Sequence, residues 1–402
     1  MNTALNVLLL ENISPDAENR FAQQGYRVQS LVGSLAEDEL KDKIQKVHIL
    51  GIRSKSTITK SVIEQAKNLQ SIGAFCIGTK QIDLQASLLR GIPVFNAPFS
   101  NTRSVVELTM AEIIALSRGI IEKNQKAHHG IWAKSARGNR EVRGKTLGIV
   151  GYGNIGSQLS TVAEANGMQV CYYDLEEKLA LGNARKCDSL KELLTSSDVV
   201  SIHVDDRPEN KNLIGKEEFE QMVDNSLFIN SSRGRIVDLE SLSVFLKSGK
   251  IKGAAIDVFP KEPKDNTEPF NNVLQGLPNV ILTPHIGGST EEAQHNIAAF
   301  VPQQLIGYMR TGNTSMSVNF PQLKMSAFEE AHRFIHIHRN EPGVLAAINK
   351  IFAARHINIV GQYLKTNESI GYMITDVSKN YSPNVINELE AIPHTIRFKV
   401  LY

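Results

Sequence analysis

The chain has 402 residues, of which 42% are hydrophobic and 21% are charged, as in folded globular proteins of two or three domains. Its 44 basic residues nearly balance 42 acidic ones and form no basic tail, which disfavours nucleic acid or an anionic membrane as partner. The opening apolar run, 7–10, is too short for a signal peptide, and no hydrophobic stretch reaches transmembrane length. We therefore expect a cytoplasmic protein. Its three cysteines lack a C-x-x-C pair and are expected to be buried free thiols, without a metal.

Residues 5 to 99 alternate short apolar runs with amphipathic helical runs, the pattern of a doubly wound α/β domain. The predicted strands are 7–10, 28–32, 47–52, 69–77 and 92–95. Because ligands in such folds bind beyond the carboxyl ends of the strands, Arg53 and Ser54 after the third strand and Asn101 after the fifth are candidate binding residues. Arg53 is the candidate for binding an anion, and a solvated surface arginine is the alternative.

A capping-box sequence at Ser104 to Glu107 predicts one long helix from Val105 to about Lys126. The segment after it holds the single tryptophan, Trp132, which we interpret as a subunit contact, with a core position as the alternative.

Residues 145–174 have the pattern of a dinucleotide site. Leu147 to Val150 predict a buried strand, and three glycines follow at the G-x-G-x-x-G spacing that turns the chain, admits a pyrophosphate and packs helix on strand. The phosphates would lie at the N-terminus of the next helix. Asp174 ends the following strand, where its carboxylate can accept both ribose hydroxyls. Leu175, Glu176 and Glu177 follow it rather than Arg or Lys, which favours NAD over NADP.

A second α/β series is predicted from Thr146 to Ile286, with strands at 147–150, 169–173, 198–204, 226–230, 253–258 and 280–283. A capping box at Ser289 to Glu292 then opens a helix expected to pack on the first domain and to kink or break at Pro302. After the linker-like stretch 311–321, the tail has the ferredoxin-like order: strand 333–338, helix 342–354, strand 358–364, strand 369–377, helix 383–391 and strand 395–401.

Three polar residues lie at predicted strand ends, where a substrate would meet the nicotinamide: Arg233, Glu262 and His285. Oxidation of a secondary alcohol needs a base for the hydroxyl proton, an acceptor for the hydride and a cation that orients the substrate. His285, NAD and Arg233 can fill these roles, since a guanidinium binds a carboxylate bidentately. Glu262, if paired with His285, would stabilise the imidazolium. Each residue could instead be structural.

At these motifs the sequence resembles the D-isomer-specific 2-hydroxy-acid dehydrogenases over nearly its whole length. The resemblance implies a flavodoxin-like substrate domain (1–102 and 289–325), a Rossmann NAD domain (103–288) and a ferredoxin-like C-terminal ACT domain (330–402), with the active site between the first two. It implies Arg233, Glu262 and His285 as catalytic residues. The residues it implies for NAD are Gly151, Gly153, Asn154, Ile155, Gly156, Asp174, Ser231, Ser232, Arg233, Asp257, His285 and Gly288.

Within that family, segments 53–54, 96–104 and 284–290 and the ACT-like tail look similar to members that oxidise 3-phospho-D-glycerate to 3-phosphooxypyruvate on the route to serine. This implies Arg233 on the substrate carboxylate and Arg53, Ser54 and Asn101 near its phosphate. It also implies a homo-oligomer, a tetramer by resemblance, in which paired ACT domains bind L-serine as an effector. The implied effector residues are His338, Asn340 and Asn358.

The chain departs from the family pattern at Ser231, often alanine, at Pro302, and at Arg339 and Glu341 around Asn340. One alternative function is a dehydrogenase for another 2-hydroxy acid, such as 2-hydroxyglutarate or glycerate. The other is an NAD-sensing corepressor similar to the C-terminal-binding proteins, which the ACT-like tail disfavours.

Overall fold

The computed structural model describes residues 5–263, 267–326 and 330–401. It separates into two units, one formed by Met1–Ser100 with Gln294–Tyr402 and the other by Asn101–Ala293.

The first unit begins with a five-stranded parallel sheet in the order β2-β1-β3-β4-β5, the flavodoxin-like order. Its central strands are largely apolar and buried on both faces, as is typical of parallel strands covered by helices. Its strands are β1 (Asn6–Leu9), β2 (Arg27–Ser30), β3 (Ile49–Ile52), β4 (Ser71–Ala74) and β5 (Val94–Phe95), and its helices are α1 (Pro15–Gln23), α2 (Glu37–Ile44), α3 (Lys60–Gln65) and α4 (Leu84–Leu89).

The second unit contains a seven-stranded parallel sheet in the order β12-β11-β10-β9-β6-β7-β8, which is a Rossmann arrangement. The doubly wound fold predicted for both parts of the chain is thereby confirmed. The strands of the second unit are β6 (Thr146–Val150), β7 (Gln169–Tyr173), β8 (Arg185–Lys186), β9 (Val199–Ile202), β10 (Ser226–Asn230), β11 (Ile251–Ile256) and β12 (Val280–Leu282). Its helices are α5 (Thr102–Arg118), α6 (Ile120–His128), α7 (Asn154–Ala165), α8 (Leu190–Ser196), α9 (Lys216–Gln221) and α10 (Leu239–Lys247).

The single long helix predicted from Val105 to Lys126 is wrong. It is divided at Gly119, whose φ of 56° is left-handed and closes α5 before α6 begins. The capping box predicted at Ser104 is also wrong, because α5 starts earlier and the Ser104 hydroxyl lies 2.8 Å from the Thr290 hydroxyl instead. Thr290 caps the returning helix by accepting the Ala293 N–H at 3.1 Å.

The returning helix, α11 (Glu291–Thr311), packs on the first sheet as predicted. Gly73 on β4 permits the close approach, because a Cβ there would come within 2.7 Å of the side chains of Val301 and Leu305. A kink or a break was predicted at Pro302, and the helix continues through this residue without a break.

The tail forms a four-stranded antiparallel sheet in the order β14-β15-β13-β16, which confirms the ferredoxin-like prediction. One face packs on its two helices, and the other joins the core of the first sheet through residues such as Ile335 and Tyr372. Its elements are β13 (Ala331–Arg339), α12 (Val344–Ala354), β14 (Ile359–Thr366), β15 (Ile370–Ser378), α13 (Asn384–Glu390) and β16 (Thr395–Val400).

Within the described ranges, no helix combines the length and apolar character needed to cross a membrane, and no cluster of three metal-ligating side chains occurs. Cys171 and Cys187 are buried, whereas Cys76 is only partly buried.

Candidate active site

The turn after β6 leaves space for a pyrophosphate. Gly151 has a left-handed φ of 94°, and a Cβ on it would lie 2.7 Å from the carbonyl oxygen of His203. A Cβ on Gly156 would collide with the carbonyl of Gly151, so only glycine lets α7 pack this closely. A Cβ on Gly153 would meet no described atom within 4 Å, and α7 begins after it without a side-chain cap. Unclaimed N–H groups at the start of α7, beside Asn154 and Ile155, therefore suit a phosphate.

Asp174 follows β7 at the place expected for ribose recognition. One carboxylate oxygen accepts the Tyr152 N–H at 2.8 Å and the other accepts the Glu176 N–H at 2.9 Å. These bonds fix the half-buried carboxylate beside the glycine turn while each oxygen retains a second lone pair. The glycine turn and the Asp174 carboxylate together fit a dinucleotide such as NAD.

Glu262 and His285 form a hydrogen-bonded pair. Glu262 Oε2 lies 2.9 Å from His285 Nδ1, and Glu262 Oε1 accepts the Phe259 N–H at 3.1 Å. With Nδ1 turned to the carboxylate, Nε2 is the ring nitrogen that can take a substrate proton. The bond to Glu262 raises the pKa of His285, while burial and the positive charge of Arg233 act in the opposite direction.

Asp257 organises the loop that carries His285. Its carboxylate is buried and accepts the Thr283 hydroxyl at 2.6 Å and the N–H groups of Ile286 and Gly287, each at 2.8 Å. Its own backbone carbonyl accepts the His285 N–H at 2.8 Å. These bonds hold His285 at a left-handed φ of 54°. Although the sequence marked Asp257 as a cofactor residue, these contacts belong to the histidine loop.

Arg233 lies in a turn fixed by Asn230 at the end of β10. The Asn230 side chain accepts the Ser232 N–H at 3.1 Å and donates to the Arg233 carbonyl, also at 3.1 Å. The next residue, Gly234, packs against the backbone of Phe259 so closely that a Cβ would collide with it. The Arg233 turn is thus held against the segment that leads to Glu262, and Arg233 is near enough to His285 to influence its pKa.

The sequence-family model for the D-isomer specific 2-hydroxyacid dehydrogenase NAD binding domain matches residues 110–287. The family model for the AHAS small subunit-like ACT domain matches residues 334–397. D-3-phosphoglycerate dehydrogenase of Haemophilus influenzae is 48% identical over 99% of this chain and 97% of its own length. The chain belongs to the D-3-phosphoglycerate dehydrogenase family.

The family member from Escherichia coli K12 is likewise 48% identical, over 99% of this chain and 98% of its own. Among solved structures, D-lactate dehydrogenase from Aquifex aeolicus, complexed with NAD and lactic acid, aligns with a TM-score of 0.68 at 25% identity. The alignment covers 79% of this chain and 100% of that one. The family, the NAD cofactor and the ACT domain predicted from the sequence are confirmed.

The remaining predicted cofactor and substrate residues of the dehydrogenase lie in two places. Ser231, Ser232 and Gly288 belong to the second unit, where the Ser231 hydroxyl is buried without a hydrogen-bond partner among described residues. Asn101 lies against Gly288, so close that a Cβ on that glycine would collide with its amide. Arg53 and Ser54 follow β3 in the first unit, Arg53 half-buried and Ser54 exposed.

The predicted effector residues of the ACT domain lie beside opposite ends of β15. His338 pairs with Gly371 near the start of β15, and the Asn340 N–H donates to the Ser369 carbonyl beside it. The Asn358 carbonyl instead accepts the N–H of Ser378, the last residue of β15. The seven residue steps of extended strand from Gly371 to Ser378 span roughly 23 Å. A ligand as small as serine therefore cannot touch both asparagines of one chain.

Three further residues were missed from the sequence, two that hold these loops and one buried carboxyl group. Asn230 fixes the Arg233 turn, and the Glu11 carboxylate binds the backbone of the loop that carries Arg53. Glu112 lies on α5 with both oxygens buried and unpartnered among described atoms, and burial, with a smaller effect of Asp257, raises its pKa to about 8. A polar residue directly after the first strand was the available signal for Glu11, whereas Glu112 has none because it lies within an apolar helix.

Proposed function

We propose that this chain oxidises 3-phospho-D-glycerate to 3-phosphooxypyruvate with NAD, as the first step of the phosphorylated route to serine. The observation that carries the proposal is the Glu262–His285 pair with Arg233 beside it, in a chain 48% identical over its length to D-3-phosphoglycerate dehydrogenases.

Arg233 would bind and orient the substrate carboxylate. Its planar guanidinium donates two parallel hydrogen bonds to a carboxylate, which fixes the direction in which the hydroxyl carbon faces. Arg53, Ser54 and Asn101 would contact the phosphate, and Arg53 supplies the positive charge that a phosphate requires. The substrate would therefore be bound at both of its anionic ends.

His285 would remove the hydroxyl proton. Neutral imidazole accepts it at Nε2 while Nδ1 stays bonded to Glu262, and the nearby carboxylate stabilises the imidazolium that forms. When bound, NAD accepts the hydride from the same carbon. Gly151, Gly153, Asn154, Ile155 and Gly156 would hold its pyrophosphate and Asp174 its ribose. The other predicted contacts are Ser231, Ser232, Arg233, Asp257, His285 and Gly288.

The ACT domain would bind L-serine and lower the activity. Because Asn340 and Asn358 lie at opposite ends of β15, a site using both needs Asn340 of one chain and Asn358 of another. The edge strand β14 supports such pairing, since it exposes 46% of Val360 and 56% of Tyr363. We therefore propose a homo-oligomer paired through ACT domains, with a tetramer as the expected size.

The same proposal divides the chain into a substrate domain (1–102 and 289–325), an NAD domain (103–288) and an ACT domain (330–402), acting in the cytoplasm.

A substrate panel tests the function. Initial rates with NAD are measured for 3-phospho-D-glycerate, D-glycerate and 2-hydroxyglutarate. The proposal predicts the highest kcat/KM for the phosphorylated acid. A higher kcat/KM for either other acid would make the chain a different dehydrogenase, and no turnover of any would favour an NAD-sensing binding protein.

A further inference from the structure

One buried carboxylate holds the loop that carries the proposed phosphate-binding residues. Glu11 Oε1 accepts the N–H groups of Arg53 at 3.1 Å and Ser56 at 2.8 Å, and Oε2 accepts the Lys55 N–H at 2.8 Å. Glu11 is only 7% exposed. Three of the four backbone N–H groups of the 53–56 loop therefore donate to the Glu11 side chain, which follows β1 and is more than forty residues away in the sequence.

The opposite side of Arg53 is also fixed. Gln81 Nε2 donates to the Arg53 carbonyl at 2.7 Å and to the Gly78 carbonyl at 3.2 Å. The peptide groups on either side of Arg53 are thus both bonded. Because its backbone is fixed in this way, the directions available to the half-buried Arg53 side chain are set before a ligand arrives.

Glu11 reaches the loop from an unusual backbone conformation. Glu11 and Asn12 have left-handed φ values of 65° and 53°, a backbone conformation that is common for asparagine but rare for glutamate. Two bonds hold the turn, from the Glu11 N–H to Gly33 and from the Asn12 N–H to Leu31, each at 3.1 Å. Strained backbone that persists because surrounding contacts hold it is typical of functional sites.

The arrangement also decides which groups are free to bind an anion. Successive backbone N–H groups can cradle a phosphate, but here the N–H groups of Arg53, Lys55 and Ser56 are taken by Glu11. Recognition by this loop is therefore left to side chains, those of half-buried Arg53 and exposed Ser54 and Lys55.

We propose that Glu11 is a positioning residue that sets the preference for a phosphorylated over an unphosphorylated hydroxy acid. The inference rests on the proposed function, because it takes the 53–56 loop as the phosphate side of the substrate site. Glu11 itself touches no substrate and acts through Arg53, Ser54 and Lys55.

Glu11→Gln is the informative variant. The amide keeps the size of the side chain, but its NH₂ group replaces one of the two carboxylate oxygens. This group cannot accept a hydrogen bond from the backbone N–H that faces it. We expect the KM for 3-phospho-D-glycerate to rise about tenfold, as for the loss of one hydrogen bond to a charged group. We expect kcat, the affinity for NAD and the affinity for D-glycerate, measured as substrate or competitive inhibitor, to change less than about threefold.

Glu64→Gln is the matched control, because it removes the same charge from an exposed position on α3. It should leave all four quantities unchanged. Equal losses of affinity for 3-phospho-D-glycerate and D-glycerate, or no loss for either, would overturn the positioning role of Glu11. A wild-type chain that fails to oxidise 3-phospho-D-glycerate would instead overturn the proposed function.

Gln81→Met decides the matter if Glu11→Gln does not fold. It removes the bonds to the carbonyls of Arg53 and Gly78 and leaves Glu11 in place. A selective rise in the KM for 3-phospho-D-glycerate would support a loop positioned by its backbone, and an unchanged preference for phosphorylated substrate would contradict it.

Discussion

Two carboxyl groups in the NAD-binding unit have opposite roles. Glu262 is partly exposed and bonded to His285, whereas Glu112 is buried and has no hydrogen-bond partner among described atoms. The first stabilises a positive charge on its neighbour, and burial of the second disfavours its charged form. We therefore expect Glu262 to affect how activity depends on pH, and Glu112 to affect how stability depends on pH.

Glu262→Gln should move the pH–rate profile for oxidation toward lower pH. The Glu262 carboxylate raises the pKa of His285, and the histidine can accept a proton only when it is neutral. Removing the negative charge lowers that pKa, so the active form persists in more acidic solution. His285→Ala should lose about 10²-fold or more in turnover at every pH.

The exposed Glu240→Gln serves as the control for Glu262→Gln, since it removes a charge from α10 without touching the pair. A Glu262→Gln profile that coincides with the wild type on the pH axis would remove Glu262 from its role.

Glu112→Gln should stabilise the protein increasingly as the pH rises. The folded chain holds the Glu112 proton up to a pKa of about 8, whereas the unfolded chain releases it near 4.5. The folded state therefore loses stability between these two values, by at most about 1.4 kcal/mol per pH unit. The amide has no proton to release. Thermal midpoints across this window should diverge in favour of the variant, and parallel curves would show that Glu112 is ionised when folded.

The strands could be predicted from the sequence, and several helix ends could not. Strands β3, β4 and β10 are buried along their length because both faces are covered, and their largely apolar runs are visible in the sequence. The break at Gly119 could not be predicted, because glycine is tolerated both inside a helix and in the left-handed conformation that ends α5. Ser104 had the right neighbours for a capping box but bonds to Thr290, 186 residues away.

The same distinction applies to the site. The glycine spacing and the chemistry of Arg233, Glu262 and His285 could be inferred from residue type and position after a strand. The residues that position them could not, because Asp257, Asn230 and Glu11 act by accepting backbone N–H groups from loops. Such contacts depend on the folded path of the chain and leave no local pattern.

Gly234→Ala should disable the Arg233 turn. A Cβ at this position would collide with the backbone of Phe259, which cannot move aside as a flexible side chain could. The displacement would separate Arg233 from the segment that carries Glu262. We expect both a lower thermal midpoint and a loss of turnover larger than that of Gly307→Ala, where a Cβ meets no described atom within 4 Å and the backbone is not left-handed. Equal activity of the two variants would contradict the packing argument.

The placement of Asn340 and Asn358 makes the proposed regulation by serine dependent on an assembly of chains. If serine binds between chains, Asn340→Ala and Asn358→Ala should each abolish inhibition, because each removes one half of every site. Coexpressed together, the two variants should regain part of the inhibition. In a mixed pair, the intact Asn340 of one chain faces the intact Asn358 of the other and restores one of two sites.

Inhibition must also reflect different affinities of serine for two states of the enzyme, since equal binding to both would change nothing. Initial rates with millimolar-range serine for each variant and for the mixed pair measure this directly. A mixed pair as insensitive as its parents would show that the two asparagines do not share a site, and serine-insensitive wild-type protein would defeat the regulatory proposal.

We propose that Arg233, His285 and the NAD-binding turn form one oriented site for a D-2-hydroxy acid. The most direct test is the initial rate of NADH formation from the D and L enantiomers of 3-phosphoglycerate under identical conditions. With the carboxylate held by Arg233 and the hydroxyl directed at His285, only one enantiomer can turn its hydrogen toward the nicotinamide. We expect NADH and 3-phosphooxypyruvate in equal amounts from the D form and none from the L form. Comparable rates from both enantiomers would contradict it.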